Sequence, residues 1–295
     1  MFIVVGASGY LGSYLIKNIT DHTNENVIAT YKNNSENNNK CDRLHWVELD
    51  VSNPENIDYF CKTYLKKDTN NKVIYLASFH HPDKVEENPQ KGWNINTSSL
   101  DNFLSKAKNN VSALYYASTD SVYGESVKNK VFVESDLYNP VNTYGRTKAI
   151  AEQIVLMHGF SVIRYSLLMG PSLILKKHFF DIIIESLQNN KEIDMYHDSS
   201  RSVISFDMAS YFTVRLLHNY YKERDIINIT SDSRMTKFDM AIQIAKKLNL
   251  KDQLIKPISI SSRNNFGSNR AKNTLISNSK LKSLLKLNNF TFDYV

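Results

Sequence analysis

Tyr144 and Lys148 stand four residues apart in Tyr144-Gly145-Arg146-Thr147-Lys148. On a helix that spacing puts both side chains on one face. A phenol with a pKa near about 10 is a poor acid–base catalyst at neutral pH. A neighbouring ammonium favours the phenolate, so the pair can exchange a proton with a substrate oxygen. A helix that merely exposes one tyrosine and one lysine has the same spacing. Upstream, Ser118-Thr119-Asp120 follows the apolar run 113–117, and a hydroxyl there could bond the oxygen that Tyr144 protonates.

A third group is Gly6-Ala7-Ser8-Gly9-Tyr10-Leu11-Gly12, whose glycines are spaced G-x-x-G-x-x-G. Between a strand and a helix, such a loop allows a tight turn, brings backbone N–H groups to a pyrophosphate and presents the positive helix end to it. Gly6, Ser8, Gly9, Tyr10, Leu11 and Gly12 are therefore the expected dinucleotide cradle. A carboxylate closing the second strand would bond the ribose 2′-hydroxyl of NAD, but that strand closes with Thr30-Tyr31-Lys32. Lys32 could meet a 2′-phosphate, which favours NADP(H) over NAD(H), although a solvated loop lysine fits the position nearly as well. Asp50, with Val51 beside it, could meet the adenine edge, and Ala77 and Ser78 close the fourth strand over the same cofactor.

The elements that must position these residues alternate. Strands are expected at 2–5, 27–31, 45–49, 73–77, 113–117 and 161–165. Helices are expected at 10–20, from Pro54 to about Lys67, at 92–109 and at 141–158. Short apolar strands separated by helices argue an α/β fold, a doubly wound parallel sheet covered on both faces. Its ligand crevice lies at the carboxyl ends of the strands, where all three groups fall. Beyond residue 170 the alternation loosens, with helices at 176–189, 207–221 and 237–248 and a returning strand at 226–229. This reads as a dinucleotide-binding Rossmann domain (1–170) and a smaller substrate-binding lobe (171–295), interleaved rather than independent. The polar stretch 32–43 reads as a mobile loop beside the cofactor.

Composition removes several alternatives. The 295 residues are 42% hydrophobic and 22% charged, ordinary for a soluble domain. The net charge of +6 is scattered, without a basic stripe and interleaved aromatics, so no nucleic-acid partner is expected. Two cysteines, Cys41 and Cys61, make neither a metal cage nor a disulfide framework, and reduced thiols and no metal are expected. The apolar opening is too short for a secretory segment, and no run approaches the roughly 18 residues of a membrane span. A cytoplasmic protein with no membrane association is the expectation.

With these motifs in order, the chain resembles the extended short-chain dehydrogenase/reductases of the nucleotide-sugar branch, closest to the dTDP-4-dehydrorhamnose reductase group. GASGYLG (6–12) resembles that family's cofactor loop, and PDKVEENPQKGWNIN (82–96) its V-D-K-x-E segment. ASTDSVYG (117–124) resembles its S-T-D element, and NPVNTYGRTKAIAEQ (139–153) its catalytic helix. Residues 164–170 look like the segment that lines the nicotinamide. Arg201 lies in a segment similar to the one whose arginine meets the nucleotide-sugar diphosphate, and Arg270 resembles a second phosphate-contacting arginine.

The resemblance implies reduction of a 4-keto group on a nucleotide-activated deoxysugar. Hydride would come from the nicotinamide and the proton from Tyr144. Lys148 would bind the nicotinamide ribose and lower the Tyr144 pKa. Thr119 or Ser118 would polarise the carbonyl, and Asp120 would orient it or relay protons. Ser121 replaces the second carboxylate of the 4,6-dehydratases, and no cysteine lies near the fifth strand as in fucose-synthase-type enzymes; both departures favour simple reduction. The Ser-Val-Tyr-Gly that follows Asp120 instead resembles epimerases and dehydratases, which keep NAD tightly bound. A non-catalytic regulatory subunit on the same fold is the rival from another class. The helices at 92–109 and 141–158 could pair two copies into a four-helix bundle.

Overall fold

A computed structural model describes residues 1–33, 41–66, 70–262 and 267–293. The first half runs β1 (Phe2–Val5), α1 (Tyr10–His22), β2 (Val27–Tyr31), β3 (Leu44–Glu48), α2 (Pro54–Tyr64) and β4 (Lys72–Tyr75). It continues through α3 (Pro82–Glu87), α4 (Pro89–Trp93), α5 (Ser99–Ala107), β5 (Ala113–Thr119), β6 (Val131–Phe132), α6 (Thr143–Met157) and β7 (Ser161–Tyr165). The second half holds β8 (Leu167–Met169), α7 (Phe179–Gln188), β9 (Ile193–Tyr196), β10 (Ser200–Ser205) and α8 (Phe206–Asn219). It ends with β11 (Ile226–Ile229), β12 (Arg234–Thr236), α9 (Lys237–Lys247), β13 (Ile255–Ile258), β14 (Leu275–Ile276) and α10 (Ser279–Leu285).

Seven parallel strands form the central sheet in the order β11-β7-β5-β4-β1-β2-β3. Side chains alternate across a strand, so β1 serves two cores. Phe2 and Val4 join Leu15, Ile16 and Ile19 of α1 and Leu216 and Leu217 of α8. Ile3 and Val5 join Ile57 and Phe60 of α2, Leu100 and Phe103 of α5, and Val155 of α6. Burial on both faces explains why β1 reads as an unbroken apolar run. The order reverses at β1, which pairs with β2 on one side and β4 on the other. A crevice opens at that switch point.

Caps set the helix starts. Asn53 accepts from the N–H of Glu55 at 2.9 Å ahead of Pro54. Asn142 accepts from the N–H of Gly145 at 2.9 Å and so fixes where the Tyr144 helix begins.

The second lobe has its own core, in which Met169, Phe180, Ile183, Met240, Ile244 and Ile255 pack together. A three-stranded sheet (β12-β10-β8) and the β9–β13 pair frame it. The chain does not divide cleanly at residue 170. β11 and α8 belong to the central sheet and its covering layer, and β14 pairs with β6 from the first half.

Several boundaries differ from the sequence reading. The span 92–109 is not one helix: α4 and α5 are separated by a π-helical turn, Asn94–Ser98, and a 3₁₀ turn closes the segment at Lys108–Asn110. The helix from Pro54 ends at Tyr64, and Lys67 lies outside the described residues, as do 34–40 of the polar loop. The helix expected at 176–189 starts at Phe179, behind a His178–Asp181 capping box. β5 continues through Ser118 and Thr119, which belong to the strand rather than follow it. Among the described residues no helix is long and apolar enough to cross a membrane. Cys41 and Cys61 are free thiols.

Candidate active site

The crevice at the switch point is a cavity of about 540 Å³. Its walls bring together Gly6, Ser8, Gly9, Tyr10, Leu11 and Gly12 from the loop after β1, Ser78 from the end of β4, and Ser118, Thr119 and Asp120 from the end of β5. Tyr144 and Lys148 of α6 and Arg201 of β10 complete it. The glycine loop thus shares one cavity with two motifs that lie more than a hundred residues further along the chain.

The glycines are required for different reasons. Gly6 has φ +85°, and a Cβ there would lie 2.9 Å from the Ala77 backbone nitrogen. At Gly12 a Cβ would fall 2.4 Å from the Ala7 carbonyl oxygen, so α1 can close on the loop only over glycine. Gly9 is open: a Cβ would meet only the Gly6 carbonyl oxygen, at 3.7 Å. The space above Gly9, at the first turn of α1, is therefore the room a pyrophosphate would take, and the residues present fit a dinucleotide.

Because β5 runs through Thr119, neighbouring side chains point to opposite faces of the sheet. Ser118 turns inward and donates to the fully buried Glu152 carboxylate. Thr119 faces the crevice and is hydrogen-bonded to Tyr144, while its hydroxyl lies 3.2 Å from Asp120 Oδ1. The Ser118 hydroxyl is thus committed to Glu152, and Thr119 is the hydroxyl beside the phenol.

Electrostatics also depart from expectation. Desolvation, then the Asp120 charge, push the Tyr144 phenol above its usual pKa, against the Thr119 hydrogen bond. The shift favours the protonated phenol, and Lys148 does not figure among its causes. Lys148 is itself the perturbed group. Burial lowers it to about 7, opposed by the Glu152 charge one turn further along α6. Its Nζ donates to the Ala117 carbonyl at 2.6 Å and lies 4.0 Å from the Tyr116 ring centroid.

Both arginines are already engaged. Arg201 places one guanidinium nitrogen 2.7 Å from each Asp120 oxygen, beside a carboxylate only 2% exposed. Arg270 bonds Asp83 at 2.8 Å and lies outside the walls of this cavity. Lys32 and Asp50 are likewise paired with one another, at 2.8 Å, and Lys32 also reaches Ser52. Lys32, Asp50, Val51 and Ala77 all lie outside the walls around Tyr144.

Some residues in and behind the wall were not foreseen. Asn96, in the π-helical turn, accepts from Ser78 Oγ at 2.9 Å and the Phe79 N–H at 2.8 Å, and donates to Thr147 of α6 at 3.0 Å. It ties the loop after β4 to the Tyr144 helix. No spacing rule marks such a residue, because the π turn itself re-aims the side chain. Ile174 and Lys176 come from the segment after β8. The two α1 tyrosines hold its ends, Tyr10 through the Lys177 carbonyl and Tyr14 through the Pro171 carbonyl, each at 2.8 Å. Arg164, at the start of the segment expected to line the nicotinamide, is fully buried and bonds Glu152; Tyr165, Ser166, Leu167 and Leu168 form the wall.

Residues 1–294 match the family described as RmlD substrate binding domain. The methionine adenosyltransferase 2 subunit beta of Rattus norvegicus is 28% identical over 218 residues, which are 72% of this chain and 64% of that protein. The chain thus spans less than two thirds of the length of that curated relative. A dTDP-4-dehydrorhamnose reductase of Aggregatibacter actinomycetemcomitans is 25% identical over 154 residues, covering 52% of this chain and 46% of that protein. Among solved structures, one from Sulfolobus tokodaii described as a hypothetical dTDP-4-dehydrorhamnose reductase superposes with a TM-score of 0.79, at 22% identity, covering 99% and 97% of the two chains. The dTDP-glucose 4,6-dehydratase of Bacillus anthracis, solved with NAD, gives 0.81 at 17% identity, covering 99% and 92%. At these identities the likeness of the structures establishes the fold.

Proposed function

The chain belongs to the RmlD substrate binding domain family, among the extended short-chain dehydrogenase/reductases, and from that premise we propose that it reduces the 4-keto group of a nucleotide-activated deoxysugar with NADP(H). The observation that carries this reading is the meeting of Thr119, Tyr144 and Lys148 in the cavity that begins at the glycine loop. A bound reduced nicotinamide would supply the hydride for the ketone carbon.

The chain's own residues do the rest. Gly6 to Gly12 and the first turn of α1 bind the pyrophosphate. The Lys148 ammonium donates to the nicotinamide ribose. Tyr144 holds the proton that the ketone oxygen receives, and the pKa raised by burial and Asp120 keeps it there until charge develops on that oxygen. Thr119 donates to the same oxygen. Arg201 meets the substrate diphosphate by exchanging Asp120 for a phosphate oxygen, a bidentate match that guanidinium suits. NADP(H) is favoured because β2 ends at Tyr31-Lys32 without a carboxylate; a 2′-phosphate would take Lys32 from Asp50.

The test is NADPH oxidation by the purified protein with 4-keto nucleotide sugars, alongside a mass spectrum of the small molecules it releases on denaturation. Turnover with freely exchanging NADPH supports reduction. Tightly retained NAD would transfer the reading to a 4-epimerase or 4,6-dehydratase, a chemistry represented among the structural neighbours.

The similarity to methionine adenosyltransferase 2 subunit beta favours a second reading, a regulatory subunit on the same fold. Binding of dinucleotide with no turnover of any 4-keto sugar, together with activation of a separate enzyme, would select it. A homodimer through the segment α4–α5 and helix α6 is the proposed assembly. Trp93, Ile150 and Met157 on these segments are exposed apolar side chains, 44%, 39% and 81% accessible. Light scattering at monomer mass would exclude it.

A further inference from the structure

Glu152 lies behind the crevice with no exposed surface. It lies one helical turn beyond Lys148 on α6 and outside the cavity wall. Its two oxygens are fully used. Ser118 of β5 donates to one, Tyr138 donates to the other at 2.9 Å, and Arg164 of β7 binds both, with contacts of 2.7 to 3.1 Å. Arg164 in turn reaches Tyr123 at 2.6 Å and the Glu134 carbonyl at 3.2 Å. One carboxylate therefore joins α6, β5, β7 and the segment between β5 and α6.

We propose that Glu152 is a positioning residue of the crevice, which locks the end of β5 to α6 and supplies the counter-charge for the Lys148 ammonium. The mechanical half follows from register. The Ser118–Glu152 bond fixes the end of β5 against α6, and Thr119, the next residue, is thereby held beside Tyr144. The electrostatic half follows from enclosure. Lys148 is 2% exposed, its hydrogen-bond acceptor among the described residues is the uncharged Ala117 carbonyl, and a buried ammonium without a counter-charge gives up its proton. The titratable and charged groups around it are Tyr144 and Glu152 on α6, Tyr116 on β5, Asp120 just beyond β5, and His80 and Lys176 on the wall. Both carboxylates carry an arginine, Asp120 through Arg201 and Glu152 through Arg164 of β7, and His80 and Lys176 bring no negative charge; Glu152 is the acid on the lysine's own helix, one turn along the same face and equally enclosed, and its charge is the one that favours the ammonium. Burial and Glu152 act in opposite directions on Lys148, with burial the larger.

This inference rests on the reading of Lys148 as the ribose-binding cation only for its functional consequence, and the experiment separates the two. The full chain is labelled at Lys148 with acetic anhydride over a pH series, and the acylated peptide is quantified by mass spectrometry, which reads the fraction of neutral amine. NADPH binding is titrated at the same pH values. In Glu152→Gln the labelling midpoint is expected to fall by about one pH unit or more. NADPH affinity should be lost at correspondingly lower pH, because the ammonium is the binding form. Glu152→Gln leaves the Arg164 guanidinium buried without its partner, so the double variant Glu152→Gln/Arg164→Gln is measured beside it. It removes both charges and should also show a lowered midpoint. Ser118→Ala, which keeps the Glu152 charge, should leave the midpoint in place. An unchanged midpoint in whichever of the two Glu152 variants folds would overturn the proposal and leave Glu152 a purely structural residue. A shifted midpoint with no NADPH binding even in the parent protein would uphold it and remove the dinucleotide reading instead.

Discussion

Arg201 of β10 and Asp120 at the end of β5 form an ion pair across the crevice, at 2.7 Å to both carboxylate oxygens. The pair joins the two lobes where the substrate would lie, and it buries a carboxylate that also acts on Tyr144. Arg201 is therefore a ligand for Asp120 in the free protein and a candidate ligand for phosphate in the complex.

Removing Arg201 should have two separable effects. Arg201→Ala leaves Asp120 buried and unpaired, with an expected loss of stability of up to about 3 kcal/mol, toward the lower end for breaking a buried pair because Arg201 is partly exposed. Adding Asp120→Asn should recover most of that stability without recovering nucleotide-sugar affinity. Thermal unfolding and calorimetric titration read the two quantities, and recovery of both would deny Arg201 a role in binding phosphate.

Tyr144→Phe deletes the proton donor and little else. Turnover should fall by roughly 10²- to 10⁴-fold, the range for a positioned general acid, with NADPH affinity nearly unchanged. Turnover within about threefold of the parent would place the acid elsewhere.

The adjacent hydroxyls should behave differently. Thr119→Val should lower kcat with only a small change in melting temperature. Ser118→Ala leaves a lone pair of the buried Glu152 carboxylate without its donor, and should cost about 1–3 kcal/mol of stability. Equal kinetic losses with equal stabilities would contradict the assignment of their side chains to opposite faces.

Lys148 makes stability depend on pH. Its folded pKa is lowered to about 7, well below the unfolded value near about 10.4. Between these values the unfolded chain binds more protons, so stability rises with pH in that window. Relative to Lys148→Met, the parent protein should therefore gain stability as pH rises from about 7 to about 10. Denaturant unfolding at several pH values reads the difference, and a gap that stays constant would mean an ordinary, solvated lysine.

Lys32 tests the cofactor preference. Lys32→Ala should weaken NADPH binding by about 0.5–1 kcal/mol or more while leaving NADH nearly unaffected, since the contact at issue is one exposed charge on one phosphate. Equal effects on both dinucleotides would point to Asp50, which loses its partner in the variant.

The sequence by itself determined the parallel sheet and the place of the crevice. β-branched runs such as FIVV can be buried on both faces only in a covered parallel sheet, and Gly6 and Gly12 occupy positions where a Cβ would collide with backbone. The order of motifs along the chain therefore fixed that Gly6–Gly12, Thr119 and Tyr144 would meet. Only the tertiary structure decided what each polar side chain faces. Two further residues of β5 send Ser118 to Glu152 and Thr119 to Tyr144, because direction alternates residue by residue. A π-helical turn, invisible to a 3.6-residue periodicity, aims Asn96 at Ser78 and Thr147. The pairings Arg201–Asp120, Arg270–Asp83 and Lys32–Asp50 span 81, 187 and 18 residues. Charges at such separations find partners through the packing of whole elements, and no local pattern records which ones they meet.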